Sequence, residues 1–186
     1  AAGIDHYRSL TYTFSGEIPV MINPEFIYSC QMPTGDAPLV AAAPFKLGGW
    51  GGLNLVQDLI DAYQMVDGQD INESSQDYPY PDASVNFERI GGANQTFSGF
   101  TLLASTARMY NNREPRFYTT VSYNGSWYSL AERKFEFFKN QKDNDYTHDA
   151  PQNGYLVRKK VYSQDNPKNG SYKWRQMFLY RLAASY

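Results

Sequence analysis

Alternating aromatic and β-branched residues, followed by one strong turn signal, place the tightest constraint on how this chain can fold. The alternate positions are Phe117, Thr119, Val121 and Tyr123. A period of two is typical of a β-strand, which would begin near Arg116. Asn124-Gly125 is a preferred sequence for a tight hairpin turn, and Trp127-Tyr128 would start the return strand. The pattern predicts a short hairpin near residues 116–130.

The turn before this predicted strand carries two arginines on either side of one carboxylate. Pro115 should keep Glu114 out of the α region. A guanidinium binds a carboxylate through two parallel hydrogen bonds, so Arg113 and Arg116 can both be held by Glu114. We interpret this string as a fixed corner of the scaffold, and a solvated charged turn is the alternative.

Composition excludes several classes of function. The 186 residues suffice for one domain with a hydrophobic core. Seventeen basic and 19 acidic residues leave a formal charge of -2, which argues against nucleic acid as a partner. No apolar stretch is long enough to span a membrane. Cys30 has no second cysteine for a disulfide or a thiolate metal cluster, and we expect it to be a buried thiol.

Two segments show helical spacing of apolar residues. The first spans about residues 54–66, with Asn54 as its expected N-cap and Gly68 closing it. It follows the glycine cluster Gly48-Gly49-Trp50-Gly51-Gly52. The second begins at about residue 174 and still repeats at Tyr186, which indicates a helix that belongs to a longer protein.

Short strands are expected elsewhere, at residues 18–22, 26–28 and 154–162, while residues 100–109 fit either a short helix or a strand. The first 16 residues show no clear period. Proline- and glycine-rich loops connect these segments. The predicted fold class is therefore α+β with much loop.

Four motifs in order resemble one known family. They are Gly49-Trp50-Gly51-Gly52-Leu53-Asn54, residues 57–63 closed by Asp67-Gly68, residues 109–118, and residues 154–159. From about Glu25 to Tyr186 this arrangement resembles the SusD/RagB family of Bacteroidetes outer-membrane lipoproteins. Two departures stand out. Leu55-Val56 replaces a frequent Pro-Thr, and the segment from Arg181 ends without the usual helical continuation.

The resemblance implies a mainly helical, TPR-containing fold, of which residues 1–186 would be a single partial domain. The N-terminal helical repeats, the C-terminal helices and the lipid anchor would lie outside this fragment. The implied protein faces outward at the outer membrane and captures a glycan, or in some members a peptide. It delivers this nutrient to a TonB-dependent SusC-like transporter and catalyses no reaction. The motif residues Arg113, Glu114, Pro115 and Arg116 carry over as scaffold only.

Glycan capture needs flat rings that stack on the apolar face of a sugar. The candidate rings lie in loops, beside glycine or proline, or at turns, which are the usual positions of binding residues. They are Trp50, Tyr78, Tyr80, Tyr110, Trp127 and Tyr128. Packing against the domain is the alternative role for each ring.

The residues alone leave two other functional classes open. A glycoside hydrolase needs two carboxylates roughly 5 to 10 Å apart. Candidates by type are Glu17, Glu25, Glu88 and Glu132, and no pair stands out by position. His6 and His148 are not next to a serine or cysteine in a nucleophile motif. The third class is a structural or adhesive surface domain.

No cofactor is expected from the sequence, and no metal site is assigned. Structural calcium remains an alternative in the Asp- and Asn-rich loops at residues 67–82 and 143–149, although neither has the spacing of an EF-hand.

Overall fold

Short helices and two-stranded ladders joined by long loops make up the fold, in agreement with the expected α+β class. A computed structural model of the chain describes residues 3–15, 18, 22–24, 26–31, 40–71, 88–97, 100–128, 131–145, 147, 149–159 and 176–181. The helices are α1 (His6–Ser15), α2 (Gln57–Asp61) and α3 (Pro115–Thr120), with short 3-10 helices at Phe45–Leu47 and Arg108–Tyr110. The strands are β1 (Phe26–Gln31), β2 (Gln95–Phe97), β3 (Phe100–Leu102), β4 (Val121–Tyr123), β5 (Trp127–Tyr128), β6 (Arg133–Lys134), β7 (Tyr155–Val157) and β8 (Gln176–Arg181).

The strands of the described residues pair as antiparallel ladders of two: β1 with β8, β2 with β3, β4 with β7, and β5 with β6. Two of these ladders join segments that are close in sequence. The other two, β1 with β8 and β4 with β7, join distant parts of the chain. The fold therefore depends strongly on long-range pairing, which a local sequence pattern does not reveal.

A helix occupies the place where the predicted hairpin should begin. Pro115 is the first residue of α3, where its missing N–H and fixed φ favour a helix, and Glu114 before it is extended as expected. The helix buries Phe117, Tyr118 and Thr119 together. The alternating pattern predicted a strand here, but three consecutive buried residues fit one covered face of a short helix.

The predicted return strand also pairs differently. Asn124-Gly125 does turn the chain, with the Ser126 N–H donating to the Tyr123 carbonyl at 3.0 Å and Gly125 at a φ of 90°. However, β4 pairs with β7, and β5 pairs with β6. The prediction of a hairpin near residues 116–130 is therefore wrong, because β4 pairs with the distant strand β7 and β5 pairs with β6, the strand that follows it.

The helix predicted over residues 54–66 is shorter than expected. It spans Gln57–Asp61 and begins after Val56, which makes no side-chain capping bond. Asn54 is not its cap, because the Asn54 side chain donates to the Gly51 carbonyl and accepts from the N–H of Gln152. Gly68 does terminate a turn, with a φ of 81°.

The predicted C-terminal helix is wrong. Residues Gln176–Arg181 form strand β8, which pairs antiparallel with β1 and places Met177 opposite Cys30. Aromatic and aliphatic residues in succession also suit a strand, and the partner lies at the other end of the chain. Trp174 and Leu182, which completed the helical pattern, lie outside the described residues.

Two of the other predicted strands are confirmed at least in part. Strand β1 confirms the expected strand at residues 26–28, and β7 confirms the first part of the strand expected at 154–162. Most of the strand expected at 18–22 and residues 160–162 lie outside the described part. Helix α1 was not predicted. No helix in the described ranges has the length and apolar composition needed to cross a bilayer.

Aromatic residues of α3, β3 and β4 fill the main core. Tyr110 stacks on Tyr123 with ring centres 4.2 Å apart, and Phe100 lies 4.9 Å from Tyr118. Both Phe117 and Tyr123 are fully buried. A second cluster packs Tyr128, Phe135 and Phe137 beside Leu47 and Leu156. In the part of the chain that the structure describes, aromatic side chains are thus used largely for packing.

Buried phenols of this core should make the fold sensitive to alkali. Burial raises the pKa of Tyr118 and Tyr123, and it raises that of Tyr155 although the hydroxyl of Tyr110 partly opposes the shift. An unfolded tyrosine ionises near about pH 10, so below that pH these tyrosines do not lower the free energy of unfolding. Above that pH the unfolded chain loses protons first. The free energy of unfolding then falls by up to about 1.4 kcal/mol per pH unit for each of these tyrosines.

We therefore expect the free energy of unfolding to stay constant between about pH 8 and pH 9 and to fall above about pH 10. Urea titrations across this range measure it, with phenolate absorbance followed in parallel. Tyr155→Phe is the matched variant and should show a shallower decline. An unchanged free energy of unfolding up to about pH 11 would contradict the burial of these hydroxyls.

Candidate functional site

Trp50 is the most exposed aromatic side chain in the described residues, at 55%. Its main chain is nevertheless held firmly. The Trp50 N–H donates to the Val40 carbonyl at 2.8 Å, and the next N–H, of Gly51, donates to the Ala43 carbonyl at 2.8 Å. The Leu53 N–H donates to the Ala41 carbonyl at 2.9 Å. The exposed ring of Trp50 is thus attached to a backbone that is fixed by hydrogen bonds at Trp50 and at the residues that follow it.

Two glycines beside Trp50 allow the loop to pack this closely. A Cβ on Gly49 would lie 2.0 Å from the carbonyl oxygen of Ala43, so no larger residue fits without backbone movement. Gly51 has a φ of +59°, and a Cβ there would lie 2.9 Å from the carbonyl carbon of Ala150. Close backbone approach therefore explains why glycine occupies positions 49 and 51.

The other side of this loop is fastened to residues 150–157. Asn54 accepts the N–H of Gln152 at 3.0 Å, and Asn153 donates its side-chain amide to the Leu55 carbonyl at 2.6 Å. The N–H of Val157 donates to the Leu53 carbonyl at 3.1 Å. Two loops that are about a hundred residues apart in sequence are joined here, and this restricts the motion of the segment that carries Trp50.

Charged and aromatic groups lie on the same loop as Trp50. Lys46 forms an ion pair with Asp145 at 3.1 Å, with both side chains partly exposed. Lys46 also lies over the ring of Phe45, 5.9 Å from its centre. Phe45 is itself 43% exposed and was not among the predicted rings. Its position after Pro44, just ahead of the glycine cluster, was the available signal.

Trp127 is the second candidate ring on the surface. It lies in β5, partly exposed, opposite Lys134 of β6. The guanidinium of Arg158 donates to the Trp127 carbonyl at 3.0 Å. The indole is thus accessible in part and its backbone is fixed.

Of the remaining predicted rings, the two that the structure describes, Tyr110 and Tyr128, are buried. Tyr110 is buried, stacks on Tyr123 and donates its hydroxyl to that of Tyr155 at 3.1 Å. Tyr128 is buried and its ring centre lies 4.9 Å from that of Phe135. Both rings pack in the core of this structure, which is the alternative role considered above. Tyr78 and Tyr80 lie outside the described residues, and their binding role stays a prediction.

The charged corner differs from the prediction in one arginine. Glu114 accepts the Arg116 Nε at 2.5 Å through Oε2 and the Gln64 N–H at 3.0 Å through Oε1. This pairing raises the pKa of Arg116. Arg113 instead lies buried and donates to the carbonyls of Ile60, Tyr63 and Met109 at 2.5, 2.8 and 3.4 Å.

The reason for this difference lies at the end of α2. The last carbonyls of a helix have no partner within the helix, so buried ones need an outside donor. Arg113 supplies donors to Ile60 in the helix and to Tyr63 just beyond it. Its guanidinium also lies 4.7 Å from the centre of the Phe117 ring. The scaffold role expected for the four motif residues stays a prediction.

The acidic loop at residues 143–149 is partly used for internal bonds. The Asp143 carboxylate accepts two hydrogen bonds from Arg133, at 2.7 and 2.6 Å, and one from the Glu136 N–H at 2.9 Å. Hydrogen bonding to Asp143 raises the pKa of Arg133. In the described ranges no three His, Cys, Asp or Glu side chains form a group that could hold a metal ion.

Comparison of the chain with known proteins identifies its family. Residues 20–186 match the SusD family over most of the chain. The chain belongs to the SusD family. This confirms the resemblance inferred from the four ordered motifs. A search of curated proteins gives no match to this SusD-family chain.

Two solved structures share the fold of this SusD-family chain. A SusD-like protein from Bacteroides fragilis is 23% identical, with a TM-score of 0.61 over 96% of this chain and 32% of its own. A SusD-like carbohydrate-binding protein from the same species is 20% identical, with a TM-score of 0.62 over 95% of this chain and 30% of its own. The chain therefore spans about a third of the length of these structures.

Proposed function

We propose that this chain is part of a surface-exposed outer-membrane protein that binds glycans without cleaving them. The observation that carries the proposal is Trp50, an exposed indole on a backbone held by neighbouring main-chain bonds. A rigid, flat ring stacks on a sugar with little loss of conformational entropy. Membership of the SusD family and the similar fold of a SusD-like carbohydrate-binding protein support the same function.

Trp50 and Trp127 are the proposed contact rings in the described part of the chain, and Tyr78 and Tyr80 remain further candidates. Phe45 joins them as an exposed ring on the loop of Trp50. The nearby Lys46–Asp145 pair offers polar groups for ligand hydroxyls. Exposed aromatic rings of this kind suit stacking on the apolar faces of sugar units.

The proposal extends to the cellular role that the family implies. The protein is lipid-anchored at the outer membrane, faces outward and passes its glycan to a TonB-dependent SusC-like transporter. The remaining segments of the same SusD-like protein, including TPR helices, complete the fold around residues 1–186. Support comes from the family match and from the relatives, which are about three times longer.

A binding role agrees with the positions of Glu88 and Glu132, two of the four glutamates considered as candidates for catalysis. Glu88 is exposed and lies 3.8 Å from Arg108, and Glu132 is exposed on a turn with a φ of 48°. A general acid in a glycosidase is normally kept protonated by an apolar pocket. Glu17 and Glu25 lie outside the described residues.

Affinity electrophoresis combined with a reducing-end assay tests this function. The protein is run through gels that contain neutral or acidic polysaccharides, and the same polysaccharides and a peptide mixture are incubated with it in solution. We expect retardation by at least one polysaccharide and no new reducing ends. New reducing ends would instead establish a hydrolase. The absence of retardation by any polysaccharide would favour a peptide ligand or an adhesive domain.

A further inference from the structure

Trp127 lies in a strand of two residues that is bonded on one side by β6. The Ser126 carbonyl accepts the Phe135 N–H at 2.9 Å and therefore points towards that strand. Successive carbonyls of a strand point in opposite directions, so the Trp127 carbonyl points away from β6. This carbonyl needs a partner from elsewhere in the chain.

Arg158 supplies that partner from the end of β7. Its Nη1 donates to the Trp127 carbonyl at 3.0 Å. Its own main chain is fixed, because the Arg158 N–H donates to the Thr120 carbonyl at 2.6 Å. The guanidinium carbon also lies 5.3 Å from the ring centre of Phe100, which is buried. The side chain is therefore held at both ends between the core and the edge of β5.

We infer that Arg158 is a positioning residue for the ligand ring of Trp127. The inference rests on the proposed function, in which Trp127 contacts the glycan. A two-residue strand has few bonds of its own, so the direction of the Trp127 Cα–Cβ bond depends on the bond to its carbonyl. Arginine suits this task because its planar fork can donate while its face rests on Phe100.

The first test uses fluorescence and needs no ligand. The chain has three tryptophans, so replacing Trp50 and Trp174 with Phe leaves Trp127 as the reporter. Arg158→Met in this background should raise the acrylamide quenching constant on the order of twofold, because the edge of β5 opens locally. Arg108→Met is the matched control, since Arg108 makes an exposed pair with Glu88. An unchanged quenching constant in Arg158→Met overturns the inference.

The second test is a double-mutant cycle of binding to the polysaccharide that retards the wild type. Arg158→Met should weaken binding about three- to tenfold, and Arg158→Lys should weaken it less. In a Trp127→Ala background, Arg158→Met should have no further effect, because Arg158 acts through Trp127. Equal losses in both backgrounds overturn the inference, as does unchanged binding in Trp127→Ala.

The two tests separate the inference from the function on which it rests. If no polysaccharide binds the wild type, the proposed function fails, and the quenching result still decides whether Arg158 positions the indole. If Trp127→Ala weakens binding while Arg158→Met does not, the function stands and the inference fails.

Discussion

Replacing Arg113 with Met is expected to lower the free energy of unfolding by about 3–5 kcal/mol. Arg113 is 2% exposed and donates to three backbone carbonyls that come from two separate segments. Methionine fills much of the volume and donates nothing, so buried carbonyls at the end of α2 lose their partner. Thermal unfolding should shift down by roughly 10 °C.

Arg116→Met is the matched control for this substitution, because it removes an arginine three residues away. Arg116 is largely exposed, and its mostly buried partner Glu114 keeps the Gln64 N–H as a second donor. Its loss should lower the free energy of unfolding by less than about 1 kcal/mol. The loss of unfolding free energy in Arg113→Lys should lie between those of these two variants. Lysine keeps the charge but lacks the planar set of guanidinium donors. Equal effects of Arg113→Met and Arg116→Met would show that Arg113 does not anchor α2.

Gly49→Ala should lower the free energy of unfolding by about 2–3 kcal/mol and also weaken ligand binding. The new methyl group would lie 2.0 Å from the Ala43 carbonyl oxygen and 2.4 Å from its carbonyl carbon. These are backbone atoms, so the clash is relieved by moving the loop rather than by turning a side chain. The movement changes the direction of the Trp50 ring.

Gly52→Ala provides the control within the same loop. A Cβ at Gly52 meets nothing within 4 Å, and its φ lies outside the left-handed range. Alanine there should change the free energy of unfolding by no more than about 0.5 kcal/mol and leave binding unchanged. Chemical denaturation and calorimetric binding measure both quantities. If the two alanine variants behave alike, the loop is not held against Ala43 as described.

Local sequence patterns were sufficient to predict several features of this protein. Ordered motifs identified the family, and glycines on both sides of Trp50 indicated a special backbone around an accessible ring. The extended conformation of Glu114 followed from Pro115 alone. In each case the physical cause lies within a few residues of the feature that it determines.

Distant contacts decided the features that the sequence did not predict. Tyr110 precedes a turn, yet its ring is buried because Tyr123 and Tyr155 close around it. Residues 176–181 have helical spacing, yet they form a strand because β1 pairs with them. A local pattern cannot show which distant segment will cover a ring or pair with a strand.

The same limit applies to the helix that replaced the predicted hairpin. Pro115 at the first helical position was a valid helix signal. The alternation from Phe117 to Tyr123 was a stronger one, and it favoured a strand. The structure buries Phe117 and Tyr118 together, which no period-two pattern anticipates.

Calorimetric titration of Trp50→Ala with the polysaccharide that retards the wild type tests the central claim most directly. We expect an affinity at least about tenfold weaker, with a thermal midpoint within a few degrees of the wild type, because the ring is exposed. Phe138→Ala, which removes another exposed ring, should leave the affinity unchanged. Unchanged affinity in Trp50→Ala, or a large loss of stability with binding intact, would contradict the claim that Trp50 is a ligand platform.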